Sequence, residues 1–240
     1  MLFGGLQKTN LADYPGILAC VFFTVGCNFR CPFCHNRQLV VANSTLETFG
    51  SKEAFDFLKS RVGKLEGVCI TGGEPTLQND LVPFCAEVKQ LGFKIKLDTN
   101  GTNETAVKNL IKENLVDYFA IDIKSSWGKY SETTNSKDAS TKVRSTLENI
   151  YKSKIPIELR TTIVPTIHSK KEVIEMAKDL YTFMLEQKIN PKTVKWYLQN
   201  FRPVNCFNEK FLSVTPYTKS QMNELLLSVN KYFPSGAIRS

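Results

Sequence analysis

No apolar run in this 240-residue chain approaches the length of a membrane span, so neither a transmembrane helix nor a membrane partner is expected. No tract is compositionally biased, and 42% hydrophobic with 22% charged residues is ordinary for a globular protein. Internal repeats and linkers are lacking, which suits one domain over residues 1–240. Met1 to Gly16 lack the basic start and apolar core of a signal peptide, so a cytoplasmic location is expected. The formal charge of +8 would suit nucleic acid, an anionic cofactor or an acidic protein. It is not gathered into a basic helix or arginine-rich segment, however. Most lysines read as a solvated face, and no nucleic-acid partner is expected.

Cysteine is what the chain has in quantity, with seven residues. In a cytosolic chain that number points to metal or catalytic use rather than a disulfide framework. Cys20, Cys69 and Cys85 lie in apolar runs and read as small buried hydrophobes, whereas Cys206 lies in a polar loop. The other three, Cys27, Cys31 and Cys34, are spaced C-x3-C-x2-C on one short loop, 25–36. Thiolates this crowded suit a soft metal. Four would close an iron–sulfur or zinc site, and three leave one position open, as a catalytic metal requires. Three other readings compete. His35 could complete a Cys3His zinc site, although adjacent Cys34 and His35 reach one tetrahedral ion with difficulty. Cys31-Pro32-Phe33-Cys34-His35 also fits a haem-attachment pattern, which leaves Cys27 unexplained. A redox dithiol would leave the third cysteine without a role.

Strand-like and helical stretches alternate along the rest. Expected strands are Ile17–Thr24, Gly67–Thr71, Phe93–Leu97, Tyr118–Ile123, Ile157–Val164 and Val194–Leu198. Expected helices are Lys52–Val62, one from Asp80 through Leu91, Glu104–Glu113, Val143–Ser153, one near Lys170–Gln187, and Lys219–Tyr232. Ser125–Lys142 reads as a surface excursion, and residues 203–240 as a terminal helix and frayed tail. Six β-then-α units argue for an α/β fold with a parallel sheet. A polar motif follows each strand, the edge at which such sheets build active sites, so the motifs are expected around one cavity.

Each motif also has a plainer reading. Gly72-Gly73-Glu74-Pro75 could be a simple tight turn. Functionally, the glycines would admit a ligand close to the backbone and Glu74 would meet an ammonium group. Asp98-Thr99-Asn100-Gly101 is compatible with ordinary turn chemistry. Asp122 and Lys124, two apart, project to one side of their strand. Arg160, within a strand, needs a buried anion or a barrel lumen. His168 is expected at the surface.

The C-x3-C-x2-C loop after the first strand, with Gly-Gly-Glu-Pro after the second, resembles the radical S-adenosylmethionine enzymes. Asp13-Tyr14-Pro15-Gly16, Gly26 to Asn36, Asp-Thr-Asn-Gly and Asp122-Ile123-Lys124 resemble the subgroup that activates glycyl-radical enzymes. Gly4-Gly5-Leu6-Gln7-Lys8-Thr9 is most similar to activators of anaerobic ribonucleoside-triphosphate reductase. The resemblance implies a partial (β/α)6 barrel and an anaerobic oxidoreductase with one 4Fe-4S cluster and S-adenosylmethionine. Cys27, Cys31 and Cys34 would ligate three irons, the cofactor's amino and carboxylate groups taking the fourth. Gly72, Gly73 and Glu74 would hold the methionyl amino end. Phe33 and His35 would border the adenine, and Lys124 with Arg160 the carboxylate or ribose. Asp98, Thr99 and Asp122 match residues around a monovalent cation in pyruvate formate-lyase activators. Gln199 and Asn200 stand where those activators place a histidine. The implied partners are the large subunit of the reductase, as protein substrate, and an electron donor such as flavodoxin or ferredoxin. The rivals are an activator of pyruvate formate-lyase or another glycyl-radical enzyme, a small-molecule radical enzyme, an iron–sulfur electron carrier, and a zinc-binding interaction module.

Overall fold

The computed structural model describes residues 1–41 and 46–239. The chain opens with strands β1 (Leu2–Asn10) and β2 (Ala19–Thr24) and the one-turn helix α1 (Arg37–Val40). Strand β3 (Phe49–Gly50) and helix α2 (Ser51–Lys59) lead to β4 (Gly67–Gly72), α3 (Leu81–Gln90), β5 (Lys94–Thr99) and α4 (Glu104–Lys112). Then come β6 (Tyr118–Asp122), α5 (Tyr130–Thr134), α6 (Ala139–Ser153) and β7 (Ile157–Ile163). The chain closes with α7 (Lys170–Glu186), β8 (Lys195–Asn200), α8 (Lys219–Asn230) and β9 (Ala237–Arg239).

Among the described residues, all nine strands form one sheet, in the order β3-β1-β2-β4-β5-β6-β7-β8-β9. From β2 to β9 every neighbouring pair is parallel, while β1 runs antiparallel to both β2 and β3. The expected parallel α/β sheet, open as a partial barrel, is thus present, with additions at both edges. The residues expected to fray, Ala237 to Arg239, instead pair with Tyr197 to Gln199.

The central strands are apolar because parallel strands are covered on both faces. Cys20, Val21 and Phe22 on β2 and Val68, Cys69 and Ile70 on β4 are buried. The helices present one apolar stripe each, such as Val143, Leu147 and Ile150 on α6. Asn103, Ser169 and Thr218 cap α4, α7 and α8 by accepting N–H bonds from the first turn. Gly50 precedes α2 as its cap residue.

The stretch read as a surface excursion is exposed along half its length but is anchored by packed residues. Ser125 and Ser126 are buried against Glu172, which accepts the Ser125 hydroxyl and the Ser126 N–H, both at 3.0 Å. Tyr130 is completely buried. Polar composition misled there because the serines serve a buried carboxylate. His168 is likewise buried rather than exposed. Its Nδ1 accepts the Val164 N–H and its Nε2–H donates to the Lys124 carbonyl, both at 2.9 Å. Among the described residues no helix is long and apolar enough to cross a membrane.

Candidate active site

A cavity of about 290 Å³ opens at the C-terminal ends of the parallel strands. That is the low end of small-molecule sites. All the candidate residues line it: Cys27, Cys31, Cys34, Phe33, His35, Gly72, Gly73, Glu74, Asp98, Thr99, Asp122, Lys124 and Arg160. Strand-end placement alone brings these distant segments together.

The cysteine loop and the Gly-Gly-Glu-Pro turn form one unit. Gly73 N–H donates to the Thr24 carbonyl at 2.9 Å, and Glu74 N–H to the Gly26 carbonyl at 2.7 Å. The approach is so close that a Cβ on Gly73 would lie 2.0 Å from the Gly26 oxygen. Gly72 has φ +116°, and a Cβ there would lie 2.3 Å from the Thr24 nitrogen. The glycines therefore serve the meeting of two backbone segments, not only the approach of a ligand. Asn36 Nδ2 donates to the Gly72 carbonyl at 3.0 Å and ties down the far end of the loop.

The sequence leaves Glu74 free for an ammonium group, but the chain already supplies it with four donors. Oε1 accepts the Thr76 N–H at 3.1 Å and the Thr76 and Thr99 hydroxyls, both at 2.6 Å. Oε2 accepts the Asn100 N–H at 2.6 Å. Burial raises its pKa against the opposing pull of these donors. Glu74 thus ties the end of β4 to the end of β5, with Oε2 retaining capacity for a further donor.

Behind the cavity a charged ladder fills the barrel lumen. Arg160 donates through Nη1 to Asp98 at 2.7 Å and through Nε to Asp122 at 2.9 Å. Lys96 pairs with the other oxygen of Asp98 and lies 3.7 Å from Glu158, and Lys124 pairs with the other oxygen of Asp122 at 3.0 Å. Arg239 of β9 grips Glu158 with two bonds of 2.7 Å. Burial alone would raise both aspartates, but Arg160 with Lys96 or Lys124 holds them below the usual carboxylate range. For Lys124 the order is the same: burial lowers it, and Asp122 more than restores it, raising it above the ordinary value.

This pairing engages the residues expected around a cation. Asp98 and Asp122 do converge, but around a guanidinium, and each carboxylate oxygen already faces a cation of the chain. Thr99 spends its hydroxyl proton on Glu74. Among the described residues no three His, Cys, Asp or Glu side chains gather about a single ion position. The same holds for the Cys3His zinc arrangement.

The three thiols border one cavity without converging on one ion, which is what a multinuclear cluster needs of its ligands. Cys27 Sγ accepts the Phe29 N–H at 3.4 Å and faces Asn100 Nδ2 at 4.0 Å, contacts that suit a thiolate ligand. Burial pushes the Cys27 thiol up to about 11 and Cys31 up to about 12, so a metal must displace their protons. Burial also lowers His35, whose ring lies 5.5 Å from that of Phe201. Among the described residues its Nε2 is buried without a partner, an orphan at the cavity wall that a bound cofactor would satisfy. The residues present fit a cluster with an organic cofactor beside it.

Asp13, Phe29, Asn100 and Thr162 also line the cavity. Asn100 and Asp13 belong to motifs the sequence displays, and Thr162 follows Arg160 by two on the same strand, so period-two spacing could have found it. Gln199 borders the cavity, whereas Asn200 turns its amide to the Tyr217 carbonyl at 2.7 Å. Cys206 is buried beneath the polar loop that carries it.

Residues 21–180 match the radical SAM superfamily. A protein of Methanocaldococcus jannaschii, named provisionally as a glycyl-radical enzyme activating enzyme, is 31% identical over 100% of this chain and 96% of its own length. The pyruvate formate-lyase-activating enzyme of Clostridium pasteurianum is 29% identical over 70% of this chain and 71% of its own. Among solved structures, Streptococcus suis SuiB bound to S-adenosylmethionine superposes with a TM-score of 0.69 at 16% identity. That superposition covers 92% of this chain but 49% of SuiB, so the chain spans about half of that protein and the two share a fold.

Proposed function

The chain belongs to the radical SAM superfamily, and from that membership we propose that it activates a glycyl-radical enzyme, with the large subunit of an anaerobic ribonucleoside-triphosphate reductase as its protein substrate. It is an oxidoreductase, and its cofactors are those of the superfamily, a 4Fe-4S cluster and S-adenosylmethionine. The observation that carries the activase reading is the end-to-end likeness to the archaeal relative named for it. The opening motif Gly4 to Thr9 supports the reductase as the particular target. Free cysteines throughout suit a reducing, cytoplasmic setting and a reduced carrier such as flavodoxin or ferredoxin as electron donor.

When bound, the cofactors would supply the radical chemistry that removes a hydrogen atom from a backbone glycine of the partner. The chain's part is to bind, orient and exclude water. Cys27, Cys31 and Cys34 would hold the cluster at the cavity wall and leave one position open for S-adenosylmethionine. Gly72 and Gly73 would border the methionyl amino group, with Glu74 keeping their turn in place. Lys124, at the cavity end of the ladder, offers its ammonium to the carboxylate or ribose, and Arg160 sets the Asp122 carboxylate that orients it. Phe33 and His35 would border the adenine, which gives the orphan His35 Nε2 a partner. The buried rings of Phe29 and Phe33 keep water from the reacting centre. A glycine suits the target because no side chain obstructs its approach.

The test is electron paramagnetic resonance of a candidate reductase after anaerobic incubation with this protein, reductant and S-adenosylmethionine. A glycyl-radical doublet is expected. Cleavage of S-adenosylmethionine with no doublet on any glycyl-radical candidate would turn the assignment to a small-molecule substrate. A doublet on pyruvate formate-lyase alone would favour the second reading, which the Clostridium likeness supports.

A further inference from the structure

Side chains along the cysteine loop alternate between two spaces. Phe29, Cys31 and Phe33 face the cavity, whereas Arg30 and Pro32 line a separate groove on the outside of the loop. The two spaces share no lining residue. The groove is built onto the loop: Phe207 N–H donates to the Cys34 carbonyl and Asn208 N–H to the Pro32 carbonyl, both at 2.9 Å. On the other side Arg30 N–H donates to the Thr134 carbonyl at 2.9 Å. Pro32, between Cys31 and Cys34 in sequence, thus forms part of the groove's floor.

The groove is basic. Arg30, Arg37 and Lys210 line it against the single acid Glu209. Arg30 is braced, its Nη1 donating to the Phe29 carbonyl at 2.8 Å. Arg37 pairs with Glu209 at 2.9 Å, but the two side chains are 51% and 73% exposed, so the pair is readily exchanged for a carboxylate from outside. Pro32 and Phe207 give this surface a half-buried apolar centre within a charged rim, the anatomy of a transient protein interface.

We propose that this groove is the docking surface for a small acidic one-electron carrier protein, which reduces the cluster from the side opposite the cavity. The inference rests on the cluster reading of Cys27, Cys31 and Cys34. One electron leaves the reduced carrier, oxidising it by one, and enters the cluster, reducing it by one; no bond or proton changes hands. The cavity side is taken by S-adenosylmethionine and the substrate. The groove reaches the same three ligands through the loop that carries them, and its charge selects an acidic partner.

The test uses an acidic flavodoxin and two double variants of equal charge change. Arg37→Glu with Lys210→Glu reverses the groove. Lys94→Glu with Lys195→Glu reverses two exposed lysines at the starts of β5 and β8, the opposite end of the sheet. Binding to metal-free protein, followed by fluorescence anisotropy, is expected to weaken at least tenfold for the groove variant and less than twofold for the other. Wild-type binding should also weaken with added salt. On cluster-loaded protein, reduction by flavodoxin hydroquinone should slow at least tenfold in the groove variant, while reduction by dithionite stays unchanged. Groove-variant binding equal to wild type, or equal weakening in both variants, overturns the docking site. Wild-type protein that holds no cluster reducible by dithionite would instead sink the underlying cluster reading.

Discussion

At the scale of single residues, a tight meeting of two backbone segments sits beside the cysteine loop. Gly73 and Gly16 are both glycines, yet they should respond very differently to an added methyl. Gly16 has φ +73°, and a Cβ there would meet nothing within 4 Å, so Gly16→Ala should cost only backbone strain, about 1 kcal/mol. At Gly73 the obstacle is the Gly26 carbonyl oxygen, 2.0 Å away and unable to swing aside as a side chain could. Gly73→Ala should therefore cost more than about 4 kcal/mol, the range kept for gross steric conflict. Because Gly26 immediately precedes Cys27, the same change should lower the iron taken up on anaerobic reconstitution. Urea denaturation and an iron assay on both variants check this. Equal stability losses would mean that the two backbone segments do not meet as described.

At the scale of elements, legibility followed the range of the interactions that make each one. Strands such as β4 and β6 could be read directly, because burial on both faces writes an apolar run into the sequence. Strand β1 could not, since Leu2–Asn10 is half-exposed and carries two glycines; its partners β2 and β3 make it a strand. The cysteine loop and Gly-Gly-Glu-Pro were legible because their spacing is local. The Asp98–Arg160–Asp122 pairing was not, as it depends on the register of three strands, which sets Asp122 beside Arg160. Strand β9 is the extreme case: three residues held by the grip of Arg239 on the fully buried Glu158 and by its guanidinium 3.8 Å over the Tyr197 ring. Arg239→Met should cost about 2 kcal/mol, less than a fully buried pair because Arg239 is a quarter exposed. In combination with Glu158→Gln the cost should fall short of the sum by at least about 1 kcal/mol. A denaturation double-mutant cycle measures that coupling, and strictly additive losses would detach β9 from the lumen ladder.

At the scale of the whole molecule, two kinds of interior respond to acid in different windows. The lumen ladder holds Asp98 and Asp122 below the ordinary carboxylate range, so its contribution is complete above about pH 4 and is lost only as pH falls further. His168 works at higher pH. Its neutral ring uses both nitrogens, accepting from Val164 and donating to Lys124, so a second proton would set Nδ1–H against the Val164 N–H. Burial is the main cause that pushes it down to about 4, against the upward pull of the Lys124 carbonyl and, after it, of Glu172. An unfolded histidine takes its proton near pH 6.5, so between that value and 4 the unfolded chain binds more protons than the folded one. The stabilisation from keeping His168 neutral is therefore full above about pH 6.5 and declines as pH falls towards 4. A shift of this size corresponds to roughly 3 kcal/mol in all, of which about 2 kcal/mol should be lost between pH 7 and pH 5. His168→Gln keeps an N–H donor for the Lys124 carbonyl but cannot titrate in that range. Its stability should start lower at pH 7 and fall less by pH 5, narrowing the gap to wild type by about 2 kcal/mol. Urea denaturation of both proteins at the two pH values measures the difference. Parallel losses would remove His168 as the source of acid sensitivity in this window.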